Sequence, residues 1–490
     1  MRGGFNVPAA GLPPAGVEEP PATDRLLVPL TSRRFTFTDV RVDDGQSVSA
    51  GQVLAVDPDR YDVPLLAPAS GTARLSEAEG HVVLVGLGAG SAAGEALLRG
   101  GPDDRGSSAT TSRLVELGVW QFLSDARTGE VVDPDAAPAG IIATALRLEP
   151  FLAGGEAQLR GALDRLARGL TSLAALAPDA PLFVVVPDCD DPLASELRET
   201  AVALKGAHVV VVPLRFPFDE PAHIARVAGL PSGLDDVVWA LRAEGVLAVD
   251  AALNEGRPAT ERVVSVAGPA VGEPVHVRAP LGYPVEGLLH GRLCRQPARV
   301  VNGGLLTGET LAPGQLGLDC ECAGLTVLAE PTRQTLVSFA RPGVSRRSYS
   351  RTFVGTLRTD MAMRYRAALS GELRPCISCG QCTDVCPAGI LPGVIHKHLY
   401  ADRIEEAQRL RVDLCIGCGL CSFVCPSKID LRRQLLAAAG ELREEARIIR
   451  AEQAAAEEAA RLAEESEPEA SGPEGETRGS TTGAVGKGAR

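Results

Sequence analysis

The sequence predicts a multidomain α/β protein. The chain has 490 residues, of which 45% are hydrophobic, so it is long enough to bury several cores. Strand-like and helix-like segments alternate between residues 140 and 250, which implies a mostly parallel sheet with crossover helices. One cysteine pattern then occurs twice between residues 376 and 426. We therefore expect β-rich and α/β domains followed by a cysteine-rich domain.

Short strands separated by Gly and Pro are predicted for residues 24–87. Residues 40–54 alternate like a hairpin, and residues 67–75 follow with a similar pattern. This pattern is typical of a lipoyl-like barrel-sandwich, which we expect over residues 1–100. A lipoyl or biotinyl carrier needs a lysine at the hairpin tip, whereas the first lysine of the chain is Lys205. The domain is therefore predicted to be a scaffold or docking surface.

A Rossmann-like α/β domain is expected over residues 110–250. The predicted strands cover residues 141–146, 182–187 and 208–213, and the predicted helices cover residues 156–177 and 194–205. After residue 260 the pattern changes to short β segments at 261–268, 275–280 and 299–304. These segments predict a small β-grasp-like domain, of the soluble ligand-binding type, over residues 251–335.

The doubled cysteine pattern is the most specific motif. Each half reads C-x2-C-x2-C-x3-C-P, the run with which bacterial two-cluster ferredoxins hold [4Fe–4S] cubanes. In that arrangement the fourth cysteine of each run binds the other cluster. The predicted ligands are Cys376, Cys379, Cys382 and Cys425 for cluster 1, and Cys415, Cys418, Cys421 and Cys386 for cluster 2. An α-helical two-cluster ferredoxin domain is therefore expected over residues 336–430.

Other uses of these cysteines fit the spacing less well. A zinc site usually has two C-x2-C pairs, about 15–20 residues apart, without a third cysteine in each set. Disulfides are not expected because no secretory signal precedes the chain. Gly380, Gly417 and Gly419 are expected to let the backbone approach the inorganic core. The remaining cysteines are predicted to be small buried hydrophobes, with a third cluster or another metal as the alternative: Cys189, Cys294, Cys320 and Cys322.

The C-terminal part is predicted to be helical. Residues 388–414, between the two motifs, repeat apolar positions at helical spacing, and His396 and His398 are interpreted there as surface or packing residues. One long helix is expected over residues 431–465. The remaining residues, 466–490, have a Gly/Ser/Glu/Thr-rich composition typical of a disordered tail.

Composition excludes several classes of function. The net charge of −13 and the aromatic content of 4% argue against nucleic-acid binding. No apolar run is long enough to cross a bilayer, and the N-terminus lacks the pattern of a signal peptide. A cytoplasmic protein without a transmembrane segment is therefore expected.

Two glycine-rich segments imitate nucleotide-binding motifs. Residues 86–94 follow a predicted strand, but no adequate helix or suitably placed acid comes after them, so a dinucleotide site is not favoured. Residues 303–310 imitate a phosphate-binding loop, but Glu309 stands where a lysine must neutralise phosphate. We therefore exclude a nucleotide from this loop.

The chain also resembles known families of electron-transport proteins. Its cysteine motifs, the spacer between them and the long helix resemble the RnfC component of the Rnf complex. The N-terminal two thirds resemble NqrA, a component of the sodium-translocating NADH:quinone oxidoreductase, through residues 67–71, 169–173, 258–268, 299–304 and 350–353. The resemblance implies an iron–sulfur electron-transfer subunit on the cytoplasmic face of the inner membrane. Its partners would be membrane-embedded subunits and a soluble donor, such as ferredoxin or a flavoprotein.

One departure from the Rnf pattern concerns cofactors. RnfC has a G-x-G-G-A-G-F-P-T loop whose amides receive FMN and NADH. Residues 119–139, where that loop should fall, contain several carboxylates and one glycine, Gly129. Because phosphates need close backbone approach without negative charge, this segment argues against FMN and NADH binding. The alternatives are an NADH-oxidising flavoprotein or cobalamin reductase with a diverged nucleotide site, and a non-redox scaffold with a metal-stabilised docking domain. No catalytic acid, base or nucleophile is expected.

Overall fold

The computed structural model describes most of the chain. The described residues are 3–7, 9, 11–88, 107–233, 236–295, 297–330, 347–348, 350, 352–361, 363, 365 and 373–466. The chain divides into two compact units, Met1–Ala439 and Gly440–Arg490. The described part of the second unit is helical.

Two small antiparallel sheets form most of the region between residues 25 and 85. Their strand orders are β2-β8-β7-β4 and β3-β5-β6. Both sheets bury apolar side chains together with Phe35 and Phe37, whose rings stack 5.7 Å apart. The elements here, with β1 preceding the two sheets, are β1 (Val17–Glu18), β2 (Arg25–Pro29), β3 (Asp39–Val40), β4 (Ser47–Val48), β5 (Val53–Asp57), a 3₁₀ helix (Pro58–Arg60), β6 (Val63–Leu66), β7 (Gly71–Arg74) and β8 (His81–Val85).

The next region alternates strands and helices. Its elements are α1 (Ser107–Glu116), a 3₁₀ helix (Val119–Phe122), β9 (Ser124–Asp125), β10 (Gly140–Thr144), α2 (Gly155–Leu159), α3 (Leu163–Leu176), β11 (Leu182–Asp188), α4 (Pro192–Ala203), β12 (Ala207–Pro213), α5 (Pro221–Val227), β13 (Val238–Arg242) and α6 (Ala243–Glu255). The strand order is β12-β11-β10-β13-β9, and the first four strands are parallel, which confirms the predicted parallel pairing.

The burial of β10 shows how this sheet is covered. Ile141 and Ala143 belong to one apolar core, whereas Ile142 between them belongs to another. Successive residues of a strand point to opposite faces, so both faces of the sheet are buried. The prediction of a single helix over residues 156–177 is wrong, because the helical conformation is interrupted between α2 and α3. Gly161 has a φ of +74° at this break, a conformation that ends regular helix.

A second mixed sheet follows. Its strand order is β1-β15-β14-β18-β16-β17, with β1 parallel to β15. Residues 17–18 therefore extend this sheet and do not pair with the strands of residues 25–85. The elements here are β14 (Glu261–Ala267), β15 (Val275–Pro280), α7 (Val285–Leu289), β16 (Ala298–Asn302), β17 (Glu309–Thr310) and β18 (Gly324–Ala329).

Helices form the described C-terminal part. They are two 3₁₀ helices (Val354–Leu357 and Val412–Leu414) and the α-helices α8 (Gln381–Asp384), α9 (Pro392–Leu399), α10 (Ile404–Arg409), α11 (Leu420–Val424) and α12 (Leu431–Ser466). The predicted helices between the motifs and after them are thus confirmed. Within the described residues, no helix combines the length and apolar character needed to cross a membrane.

Some predicted features lie outside the described residues. They are residues 89–94 of the first glycine-rich segment, Arg351 of the family-like segment 350–353, and residues 467–490 of the predicted tail.

Candidate iron–sulfur site

The two cysteine motifs fold in the same way. Gly380 precedes α8 and Gly419 precedes α11, and both glycines have a φ of +77°. Two residues earlier, Ser378 and Gly417 also have positive φ angles, of 55° and 68°. α8 and α11 are in contact. The repeated spacing therefore produces two similar loops that face one another, and Gly380, Gly417 and Gly419 adopt the conformation that glycine favours.

A recess between the motifs brings together cysteines from both of them. Its empty volume is about 360 Å³, which includes space open to solvent. Cys386 of the first motif lines it together with Cys415, Cys418 and Cys421 of the second. The other lining residues are Pro387, Ala388, Ile390, Pro392, Ile416, Gly417, Gly419, Leu420, Arg432 and Leu435. The last cysteine of the first motif thus lies beside the first three of the second.

The thiols of this recess are held in apolar surroundings. Burial raises the pKa of Cys418 and of Cys421 well above the usual value, and neighbouring thiols raise both further. The amides of Leu420 and Ser422 donate to these two sulfurs and act in the opposite direction. A thiolate at such a position needs a compensating positive charge, which a metal centre supplies.

The first three cysteines of the first motif lie nearer the surface. Cys379 is exposed, and Cys376 and Cys382 are half-buried. The N-terminus of α9 packs against this set, because a Cβ atom at Gly393 would lie 3.2 Å from Sγ of Cys382 and 3.9 Å from Sγ of Cys376. Burial raises the pKa of Cys382, whose sulfur accepts a hydrogen bond from the Gly393 amide. Cys425 is buried and does not line the recess of Cys386.

The four cysteines that line the recess can be compared with the ligands that a single metal ion and an iron–sulfur cluster require. Among the described residues, no group of three or more His, Cys, Asp or Glu side chains could hold a metal ion. A [4Fe–4S] cubane makes a different demand, because its four thiolates bind different iron atoms and need not converge on one point. Four cysteines around one recess, with amide donors to two sulfurs, fit that demand.

The loop that contains Cys386 is held by the body of the protein. The amide of Gly4 donates to the carbonyl of Val385 at 2.9 Å. The guanidinium of Arg226, on α5, donates to the carbonyls of Pro387 and Ala388, each at 2.5 Å. Segments distant in sequence thus fix the backbone on both sides of this cysteine.

The second motif packs against two other parts of the chain. Cys418 and Leu420 share an apolar cluster with Phe216, which follows β12, and with Leu305 and Leu306, which follow β16. The α/β region and the mixed sheet therefore both contact the second cysteine loop. By contrast, Cys379 of the first loop is exposed.

Arg432 adds a positive charge to the recess. Its Nε donates to the carbonyl of Gly417 at 2.7 Å, and its amide donates to Oγ of Ser422 at 2.8 Å. Asp430, two residues earlier, lies 3.3 Å from the same Oγ of Ser422. Sequence reasoning missed Arg432, although its place in the first turn of the helix after the second motif was a usable signal.

The four remaining cysteines differ from one another. Cys320 and Cys322 are buried, as predicted, and burial raises the pKa of both thiols. The prediction is wrong for Cys294, which is exposed, and Cys189 is half-buried. Their flanking residues were too polar to close a core over them.

Of the two histidines on α9, His396 packs against α12, where its Nδ1 lies 2.6 Å from Oε1 of Gln434.

A buried ion-pair network lies where the carboxyl ends of β10 and β13 meet. Arg242 donates to Asp219 at 3.0 Å and to Glu220 at 2.8 Å. Burial raises the pKa of Asp219 to about 6, and the charge of Glu220 adds to this effect. This crevice is where open α/β sheets commonly bind ligands. Here protein side chains occupy it.

The family comparisons agree with this division of the chain. The NqrA second alpha/beta domain family matches residues 106–258, and the NQRA C-terminal domain family matches residues 263–312. The 4Fe-4S dicluster domain family matches residues 369–426. The chain thus has two regions similar to NqrA domains, followed by one similar to a 4Fe-4S dicluster domain.

Whole-chain comparisons find relatives of the same kind. The NqrA protein of the Na(+)-translocating NADH-quinone reductase of Shewanella amazonensis is 27% identical over 416 residues, 84% of this chain and 91% of the relative. The NqrA proteins of Pseudomonas aeruginosa and Neisseria gonorrhoeae are 26% and 25% identical, each over 84% of this chain and 91% of the relative. A solved NAD+-reducing [NiFe]-hydrogenase in the air-oxidized state aligns at a TM-score of 0.39 and 16% identity, covering 69% of this chain and 64% of that one.

Proposed function

We propose that this protein is the iron–sulfur electron-relay subunit of a membrane-associated Nqr/Rnf-type redox complex. The observation that carries the proposal is the recess in which Cys386 joins Cys415, Cys418 and Cys421. In two-cluster ferredoxins the fourth cysteine of one run crosses to the other cluster, and this placement of Cys386 agrees with that exchange. The match to a 4Fe-4S dicluster domain supports the same function.

The proposed ligand sets follow the exchange. Cluster 1 would be bound by Cys376, Cys379, Cys382 and Cys425, and cluster 2 by Cys386, Cys415, Cys418 and Cys421. A [4Fe–4S] cluster supplies reversible one-electron chemistry when it is bound. The chain would contribute amide donors to sulfur, a half-buried cation at Arg432 and apolar cover, which together set the potential.

The different exposure of the two loops gives the relay an orientation. Cys379 is exposed, whereas Cys418 and Cys421 are buried against the body of the protein. We therefore infer that cluster 1 exchanges electrons with an external partner and that cluster 2 lies on the inner side of the path. The external partner would be a soluble donor, such as ferredoxin or a flavoprotein, or a membrane component of the complex.

The body would serve as a docking scaffold on the cytoplasmic face of the membrane. We propose a lipoyl-like barrel-sandwich over residues 1–100, a Rossmann-like domain over 110–250 and a β-grasp-like domain over 251–335. The ferredoxin domain would cover residues 336–430, with a helix at 431–465 and a tail at 466–490. The relatives named as reductase subunits support assembly with membrane-embedded subunits.

Anaerobic purification of the full chain tests this function. We expect about eight iron atoms and about eight acid-labile sulfides per chain, the content of two cubanes. Electron paramagnetic resonance (EPR) of the dithionite-reduced protein should show two interacting paramagnets. A colourless protein without iron or labile sulfide would overturn the proposal.

A different cofactor, metal or activity in the purified protein would assign it to a different functional class. Stoichiometric flavin that NADH bleaches would identify an NADH-oxidising flavoprotein. Reduction of added cobalamin would identify a cobalamin reductase. Zinc without redox activity would leave a scaffold whose metal stabilises a docking domain.

A further inference from the structure

Glu149 is a buried carboxylate that binds a loop far away in sequence. It follows β10, and 6% of the residue is exposed. The amides of Leu306 and Thr307 donate to its Oε1 at 2.8 and 2.7 Å, and the hydroxyl of Thr307 donates to its Oε2 at 2.5 Å. Burial raises the pKa of Glu149, and the hydrogen bonds from Thr307 and Leu306 act in the opposite direction. Glu149 thus ties the α/β region to the loop after β16.

The loop at residues 303–308 is shaped around this carboxylate. A Cβ atom at Gly304 would lie 2.2 Å from Cδ of Glu149, so a larger residue would displace the side chain. The carbonyl of Gly303 accepts a hydrogen bond from Thr326 Oγ1 at 2.7 Å, which anchors the loop to β18. This is the segment whose sequence imitates a phosphate-binding loop. Two of its amides donate to an internal carboxyl group, that of Glu149.

The same loop touches the second cysteine motif. A Cβ atom at Gly419 would lie 2.6 Å from the carbonyl oxygen of Leu306. Gly419 lies between Cys418 and Cys421, and Leu305 and Leu306 pack in the apolar cluster of Cys418. The loop that Glu149 holds is therefore part of the apolar cover over Cys418 and the adjoining Gly419.

We propose that Glu149 is a positioning residue for the second cysteine set. By holding Leu306 against Gly419, it keeps water away from Cys418 and Cys421. This inference rests on the proposed function, because it assumes that these cysteines bind a cluster. Glu149 acts through the loop and touches none of the cysteines.

The expected effect is on the potential of the second cluster. A reduced cluster with four thiolates carries more negative charge than an oxidised one, so water near the sulfurs favours reduction. Loosening the loop should therefore raise the potential. At a fixed ambient potential, a tenfold change in the ratio of reduced to oxidised cluster corresponds to about 59 mV for a one-electron couple.

The test compares three variants of the full chain by EPR-monitored redox titration. Glu149→Ala removes all three hydrogen bonds, and we expect about a tenfold shift toward the reduced form of the second cluster. Glu149→Gln keeps an oxygen for both amides and an N–H group for the Thr307 hydroxyl, so we expect it to titrate like the wild type. Asp250→Asn is the matched control. This substitution replaces another buried carboxylate of the α/β region by an amide. It therefore weakens the ion pairs that Asp250 makes with Arg165 and Arg168.

Three results would overturn the inference. They are an unchanged potential in Glu149→Ala, an equal shift in Glu149→Gln, and an equal shift in Asp250→Asn. If Glu149→Ala does not fold, Thr307→Val, which removes only the hydroxyl donor, should give a smaller shift in the same direction, and no shift in that variant would also overturn the inference. The wild type separates this inference from the proposed function, because a wild-type chain without clusters would refute the function itself.

Discussion

Cys386, the last cysteine of the first motif, lines the same recess as Cys418 of the second motif. Cys425, its counterpart at the end of the second motif, lies outside that recess and is buried. The carbonyls on both sides of Cys386 are held by Gly4 and Arg226. The position of this cysteine is therefore imposed by the body of the protein as well as by its own motif.

The proposed exchange of fourth ligands predicts which of the two proposed clusters each substitution removes. Cys386→Ser should lose the second cluster and keep the first, whereas Cys425→Ser should do the reverse. Each variant should lose about half of the iron. Iron analysis and EPR of the reduced protein measure these losses. Cys294→Ser, at an exposed cysteine outside both motifs, is the control and should retain all iron. The assignment would be refuted if Cys386→Ser lost the first cluster.

Gly393→Ala should selectively weaken the first cluster. Its Cβ would lie 3.2 Å from Sγ of Cys382, and crowding of this kind costs about 1–3 kcal/mol. We expect the first cluster to be lost to a chelator roughly tenfold faster, with the second unaffected. The decay of the two EPR signals after addition of the chelator measures the rate at which each cluster is lost.

Gly440→Ala is the matched control for that substitution. Gly440 also lies in a helix, and no atom would come within 4 Å of an added Cβ. Alanine there should stabilise the helix by about 0.5–1 kcal/mol without changing cluster loss. Equal effects of the two substitutions would contradict close packing of Gly393 on the first set.

Arg432→Gln should lower the potential of the second cluster. A positive charge in the recess favours the more negative reduced state, and Arg432 is held there by the carbonyl of Gly417. We expect about a tenfold shift toward the oxidised form, or roughly 59 mV. Arg433→Gln removes the neighbouring exposed guanidinium and should leave the potential almost unchanged. A redox titration in which both variants titrate alike would argue against a local charge effect.

His223 should make the protein less stable as the pH falls. Burial lowers its pKa to about 4, and the positive charge of Arg226 adds to this effect. In the unfolded chain its pKa is about 6.5. The unfolded state therefore binds a proton first, so stability present above pH 6.5 is lost as the pH falls toward 4. The loss amounts to about 3 kcal/mol.

The comparison with His223→Leu isolates this contribution. Asp219, whose pKa burial raises to about 6, acts in the opposite sense, because its folded state binds the proton first. Urea unfolding at pH 7 and pH 4.5 should show a smaller loss of stability in His223→Leu than in the wild type. His208→Leu, at an exposed histidine, should retain the wild-type dependence. If both variants retained it, His223 would not be the titrating group.

The sequence by itself determined the features that depend on local spacing. Gaps of two residues between cysteines, together with Gly380 and Gly419, suffice to form two similar loops, because backbone geometry over a few residues is set locally. Apolar periodicity likewise located three of the four parallel strands, β10, β11 and β12, and the helices around the motifs, since a repeating pattern reports which face is buried. It did not locate the fourth strand, β13.

Only the tertiary structure decided which distant segments meet. Glu149 and Thr307 are 158 positions apart, and nothing in either neighbourhood predicts their hydrogen bonds. The pairing of β1 with β15 and the packing of Leu306 on Gly419 are equally invisible in the sequence. Such contacts are selected by shape and by the need to satisfy buried polar groups across the whole fold. No short window of residues contains that information.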